Sequence, residues 1–166
     1  MGAGKSSVGK ILAEKLNRNF HDTDRIIEAS TKKSISEIFA SKGESYFRDR
    51  EEEIVKKITS EVEEGVVALG GGAILRPTNW QVINRSGLTV YLKYTSSVLL
   101  NRLARDASSR PLVANLSPES YQTDLLRLFE LRQPFYARAD FIIDCSAELS
   151  ETEVADKIFN RLDKRQ

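Results

Sequence analysis

Gly2-Ala3-Gly4-Lys5-Ser6-Ser7 is the stretch on which the reading of this chain turns. Small residues run directly into a lysine and two hydroxyls. The apolar residues Val8, Ile11, Leu12 and Leu16 then recur on one helical face. A glycine-rich turn entering a helix lets backbone N–H groups curl around phosphate oxygens, and the helix N-terminus adds its positive dipole end. In that arrangement Lys5 reaches the β- and γ-phosphates of a nucleotide, and the Ser6 hydroxyl binds Mg²⁺. Gly2, Ala3, Gly4, Lys5, Ser6 and Ser7 are therefore candidate ATP contacts. The plainer reading is an ordinary helix N-cap with flanking glycines.

Working outward, strand-like and helix-like segments alternate, which predicts an α/β fold with a mostly parallel sheet in one domain spanning 1–166. Asn19 to Asp22 reads as a short strand. Ser34 and Glu37 form a capping box for a helix that Gly43 ends. A longer helix follows, with Phe47, Ile54, Val55, Ile58 and Val62 as its inner stripe. Val66 to Leu69 reads as a buried strand ending at Gly70-Gly71-Gly72. Pro77 opens a helix and Gly87 closes it. Leu88 to Leu92 is a strand, Thr95 to Arg105 a helix, and the polar stretch from Asp106 to Ser117 a loop. Pro118 to Arg132 is helical, Phe141 to Asp144 a strand, and Ser150 with Glu153 caps a last helix.

Asp22-Thr23-Asp24 follows a strand end, and two aspartates two apart on a strand share a face. Asp22 is a candidate for the Mg²⁺ shell, through water, because Mg²⁺ keeps several waters. Asp24 is a candidate to accept a hydrogen bond from an attacking hydroxyl, as orienter or base. A turn or N-cap is the competing reading of the same pair.

Composition narrows the function classes. The chain has 166 residues, with 25 basic and 24 acidic side chains, so its formal net charge is +1. Nothing global draws it to nucleic acid or membrane, and no apolar run approaches the ~20 residues of a membrane helix. The one cysteine, Cys145, fits a cytosolic compartment and is expected to be buried. With no long apolar surface stripe left over, a monomer is expected. His21, Trp80 and the basic pair Lys164-Arg165 are given no role. The run Asp49 to Glu53 reads mostly as a solvated helix face, with Glu51 a candidate to orient Arg48.

Six ordered features resemble the shikimate kinase family across nearly the whole chain. They are Gly-Ala-Gly-Lys-Ser at 2–6, Asp-Thr-Asp at 22–24, Phe47-Arg48, Leu-Gly-Gly-Gly-Ala at 69–73, Ser-Arg-Pro-Leu at 109–112 and Arg-Gln-Pro-Phe-Tyr at 132–136. The resemblance implies a P-loop NTPase-like three-layer α/β/α fold with a parallel sheet, of five strands in the family and without the first of them here, and a lid at about 106–117. It implies transfer of the γ-phosphoryl group of ATP to the 3-hydroxyl of shikimate. It further implies that Arg48 and Arg132 clamp the substrate carboxylate and that Asp24 meets the ring hydroxyls. Gly70, Gly71 and Gly72 then line the substrate pocket, and Arg110 closes over the phosphates. Arginine forks suit a carboxylate because they bind it bidentately. For Arg48 the competing reading is a surface ion pair with Glu51 or Glu52, for Arg110 a surface charge, and for Arg132 a helix C-cap.

The full phosphate-loop pattern places its first glycine ahead of Met1, and the strand that feeds such a loop has no counterpart here. In this fold that strand is central in the sheet, so Leu69 and Val90 are expected to lose a partner. The sequence thus leaves open an upstream start, a nucleotide-binding relic without turnover, or a related enzyme such as a gluconate kinase.

Overall fold

A computed structural model describes residues 2–105 and 120–164. The expected loop at 106–117, with Arg110, lies outside the described residues. Helix α1 (Lys5–Leu16) leads into strand β1 (Asn19–Asp22), α2 (Thr23–Thr31), α3 (Ile35–Glu61) and β2 (Gly65–Ala68). A 3₁₀ turn (Ala73–Leu75), α4 (Pro77–Ser86), β3 (Val90–Lys93) and α5 (Ser96–Arg105) follow. The described chain closes with α6 (Tyr121–Tyr136), β4 (Phe141–Asp144) and α7 (Glu151–Asp163).

The strands form two parallel pairs. β1 lies beside β2 with Asn19 opposite Gly65 and Asp22 opposite Ala68. β3 lies beside β4 with Val90 opposite Phe141 and Lys93 opposite Asp144. Among the described residues β2 and β3 do not pair with each other, and each has one strand neighbour only. The expected loss of a partner at this place is therefore present. It falls between Ala68 and Val90, at the inner edges of the two pairs.

Helix α1 holds the halves together. Val8 and Leu12 on α1 pack with Leu92 of β3 and Tyr94 just after it, Ile143 of β4 and Cys145 just after it, and Val154, Ala155 and Ile158 on α7. Val66 of β2 packs against the same cluster. Burying such aliphatic side chains contributes about 1.5–3 kcal/mol each. On α3, α4 and the turn between β2 and α4, Val55, Ala73 and Ile83 form a second cluster, with Leu69 against it. A third joins Ile27 of α2 to Ile38 and Phe47 of α3.

Two departures from the sequence reading have local causes. The aspartate pair does not sit on one strand, because Asp22 caps α2 and the chain turns helical at Thr23. Helix α2 was not foreseen. Gly43 stands where expected: its left-handed φ of 80° breaks the helical path inside α3, and the expected two helices meet at that kink. Helix α6 also runs past Arg132 and through Pro134 to Tyr136. A proline in the last turn costs one backbone hydrogen bond. Tyr136 offsets this by stacking on Tyr91, with ring centroids 5.3 Å apart.

Ser34 and Ser150 both close capping boxes, with Glu37 and Glu153. Ser34→Ala and Ser150→Ala are each expected to cost about 1 kcal/mol. In a chain of this size that lowers the melting temperature by roughly 2–4 °C, and the distant pair should add. Thermal melts followed by circular dichroism check this; a double variant as stable as the parent would refute it.

Candidate active site

The loop before α1 is shaped by glycine. Gly2 and Gly4 adopt φ of 70° and 74°, where a side chain is strained. Gly4 is the N-cap of α1 and supplies no side-chain cap. The first-turn amides are thus left for another acceptor, which is what an anion-binding helix start offers and an ordinary N-cap does not.

Asp22 ties this loop to the sheet. Its Oδ1 accepts from the amides of Asp24 (3.1 Å) and Arg25 (3.3 Å), capping α2. Its Oδ2 accepts from the Ser6 hydroxyl at 2.5 Å. Both readings of this aspartate hold at once: it is a helix cap, and it faces the phosphate loop. Ser6 Oγ and Asp22 Oδ2 make a pair of hard oxygen donors, which suits Mg²⁺. Among the described residues no group of three His, Cys, Asp or Glu side chains is placed to hold a metal by itself. The donors present fit a cation that keeps waters and shares its shell with nucleotide phosphates.

Beyond Asp22, the glycine triplet is packed by charged side chains. Thr23, fully buried, accepts from the Gly70 amide (2.8 Å) and donates to Ala68 O (3.3 Å), which joins α2 to the end of β2. A methyl group on Gly70 would sit 2.5 Å from Glu51 Oε1 and 2.7 Å from Asp24 Oδ1. A methyl on Gly72 would collide with the Arg48 guanidinium. These two glycines therefore make room for the protein's own charged groups.

Arg48 donates to Glu51 Oε2 at 2.7 Å and to Glu44 Oε1 at 3.0 Å. Burial alone lowers its pKa, but the Glu51 and Glu44 carboxylates together outweigh that and the pKa is raised. The surface-pair reading of Arg48 is half correct: it is paired, yet Glu51 is 0 % exposed. Within 49–53 Glu51 pairs with Arg48, as the sequence allowed, but from a buried place and not from a solvated face. Its spacing was the available signal, because 47, 51, 55 and 58 fall on the inner stripe of α3.

Arg132 lies inside α6 and is 6 % exposed, so it is not a C-cap. One turn on, the Tyr136 hydroxyl donates to Gly71 O at 2.6 Å. Burial raises the pKa of this phenol, and Arg132, the next influence, pulls it down. Tyr136 was missed, although it lies four residues from Arg132 and shares its helix face.

Three buried polar atoms here have no partner: Asp24 Oδ1, Glu51 Oε1 and Arg132 Nε. Each such orphan costs about 1–3 kcal/mol, so a cluster of them marks a place set by something other than stability. It joins two carboxylates and two guanidiniums beside the backbone of Gly70 to Gly72, with Lys5 close enough to lower the pKa of Asp24. Such a place can hold an anionic, hydroxyl-bearing molecule next to a phosphate loop.

The family model for shikimate kinase matches residues 1–163. The chain belongs to the shikimate kinase family. A shikimate kinase of Thermodesulfovibrio yellowstonii is 42% identical over 164 residues, covering 99% of this chain and 91% of that protein. One from Synechococcus sp. is 38% identical over 162 residues, 98% of this chain and 83% of its own length. Among solved structures, shikimate kinase from Acinetobacter baumannii in complex with shikimate is 34% identical with a TM-score of 0.89. It covers 100% of this chain and 90% of that chain. The fold is accordingly the α/β arrangement of P-loop kinases, and the relatives are ATP-dependent phosphotransferases.

Burial raises the pKa of Asp24, Lys5 opposes this, and Asp22 adds to it. The folded state therefore holds this proton more tightly than the unfolded chain. That share of stability is complete below the unfolded pKa and is lost as pH rises through the folded one. Asp24→Asn removes the titration. Its stability relative to the parent is expected to grow as pH rises from about 4 toward 7. Urea melts across that range test this; a pH-independent difference would contradict it.

Proposed function

We propose that the chain transfers the γ-phosphoryl group of ATP to the 3-hydroxyl of shikimate, giving shikimate 3-phosphate and ADP, a step toward chorismate and the aromatic amino acids. The observation that carries this reading is the unpartnered cluster of Asp24, Glu51 and Arg132 beside the uncapped start of α1. Carboxylate clamp, hydroxyl acceptor and phosphate site lie side by side. A gluconate kinase would also need a carboxylate site, but family and neighbours favour shikimate. A relic without turnover is not favoured.

In this reading Arg48 and Arg132 hold the substrate carboxylate, with Glu51 fixing the Arg48 guanidinium. Tyr136 holds Gly71, and the backbone of Gly70 to Gly72 lines the substrate pocket. Asp24 accepts the hydrogen bond of the attacking hydroxyl and places its oxygen in line. Burial raises its pKa above that of an exposed carboxylate, which makes it the stronger proton acceptor. Lys5 and the N–H groups of Gly2, Ala3, Gly4, Lys5, Ser6 and Ser7 carry the phosphates. Mg²⁺, held by Ser6 and through water by Asp22, would neutralise charge on the phosphate oxygens. Arg110, assigned from the Ser-Arg-Pro-Leu motif alone, closes over the transferring group and helps exclude water. The lone, buried Cys145 supports a cytoplasmic location, and the lack of a long apolar surface stripe in the sequence supports a monomer.

ADP release by the 166-residue chain with Mg²⁺-ATP is the test. Shikimate-dependent release is expected, and release with gluconate alone, or with neither acceptor, would overturn the reading. Asp24→Asn should leave ATP binding intact and lower turnover by about 10²–10⁴-fold. Loss of ATP binding would instead assign Asp24 to the metal. Arg132→Ala should raise the KM for shikimate about ten- to a hundredfold with a smaller effect on kcat. Arg110→Ala should cut kcat about 10²–10³-fold while the melting temperature hardly moves.

A further inference from the structure

The turn from Gly70 to Leu75 is held by side chains from elsewhere. Its own backbone closes only two bonds, Ala73 N–H to Gly70 O at 3.1 Å and Leu75 N–H to Gly72 O at 3.0 Å. The Tyr136 hydroxyl donates to Gly71 O at 2.6 Å, and Asn79 Nδ2 to Ala73 O at 2.9 Å. A third donor is Arg138, whose Nη2 lies 3.4 Å from Ile74 O. Gly71, Ala73 and Ile74 thus each give a carbonyl to a side chain. Two of the three donors sit at or just past the end of α6.

Arg138 also meets two rings. Its guanidinium carbon lies 4.4 Å from the ring centre of Trp80 on α4 and 5.2 Å from that of Phe135 on α6. Both distances are within cation–π reach, and a planar guanidinium stacks where an ammonium cannot. Trp80, given no role by the sequence, is half-buried, while Arg138 itself is exposed. A cation just past a helix C-terminus also suits the negative end of the helix dipole. An ordinary surface arginine would reach into water. This one spans α6, α4 and the turn between β2 and α4.

The end of α6 needs such a hold. Pro134 removes a backbone N–H from its last turn. Tyr136 fixes one point, Gly71 O, and a helix tied at one point can still pivot about it. Arg138 supplies a second tie, on the far side of the turn. Arg132 lies one turn before Tyr136, and its buried Nε has no partner. Its guanidinium therefore takes its place from the seating of α6.

We propose that Arg138, stacked on Trp80, is a positioning residue for the substrate site: it seats the end of α6 on the glycine turn and so sets Arg132. The word substrate rests on the kinase reading above; the seating does not.

The test compares Arg138→Ala, Arg138→Lys, Trp80→Leu and the Arg138→Ala/Trp80→Leu pair with the parent. Arg161→Ala, which loses a ring contact with Phe141 on α7's side of the molecule, is the control. Arg138→Ala is expected to raise the KM for shikimate about three- to tenfold and to leave the KM for ATP within about twofold. Trp80→Leu should do the same, and the pair no more than either alone, because both remove one contact. Arg138→Lys should fall between parent and Arg138→Ala, and Arg161→Ala should change neither KM. An unchanged KM for shikimate, an equal rise in both KM values, or additive effects in the pair would overturn the proposal. If Arg138→Ala does not fold, Arg138→Lys and Trp80→Leu carry the same comparison. If the parent shows no shikimate-dependent turnover, the kinase reading fails and hydrogen exchange decides the seating. Arg138→Ala is expected to speed exchange at the Ala73, Leu75 and Ala137 amides about three- to tenfold. Exchange there equal to that of the parent would refute it.

Discussion

One carboxylate organises the front of this molecule. Asp22 ends β1, starts α2 with one oxygen and holds the Ser6 hydroxyl with the other. Three elements that approach from different directions are fixed to one side chain of 9 % exposure. Hydrogen bonds to an ionised acceptor are worth about 1.5–3 kcal/mol each, so the arrangement outweighs any single neutral contact nearby. Because Asp22 caps α2, Thr23 turns inward to the end of β2, and Asp24 is carried toward the glycine triplet.

The glycine triplet is the second constraint. Gly70 and Gly72 are small because Asp24, Glu51 and Arg48 lean on them. A substrate carboxylate must meet a guanidinium whose position is already set, since free arginine carries about 2 kcal/mol of rotamer entropy. Glu51 supplies that setting from a fully buried place on α3. Its own burial raises its pKa, and Arg48, the next influence, pulls it back down. The site is thus organised by charges that hold one another, with Asp24 Oδ1, Glu51 Oε1 and Arg132 Nε left over.

Behind the site the sheet is divided. α1 bridges the division, since it packs against Val66 on one side and Leu92 on the other. The phosphate loop is therefore supported by Asp22 and by α5, where Arg102 donates to Gly2 O at 3.4 Å, and has no strand beneath it among the described residues.

The sequence by itself determined the local and the periodic. All four strands and both capping boxes were legible from alternation, β-branched runs and Ser-x-x-Glu spacing, because these depend on near neighbours in the chain. The phosphate loop was legible because glycine, lysine and serine at a helix start carry their own mechanism. Glu51 was legible as a partner of Arg48 but not as a buried one, and Tyr136 was not found, because burial and pairing of a charged or polar side chain depend on what other elements bring to it. Helix α2 was hidden because the same Asp-x-Asp pair reads as a strand face until the cap forms. Gly70 and Gly72 were read as lining the substrate pocket, yet only the tertiary structure showed that three charged side chains need their space. That is a matter of volume shared between residues far apart in the chain, which no local pattern records.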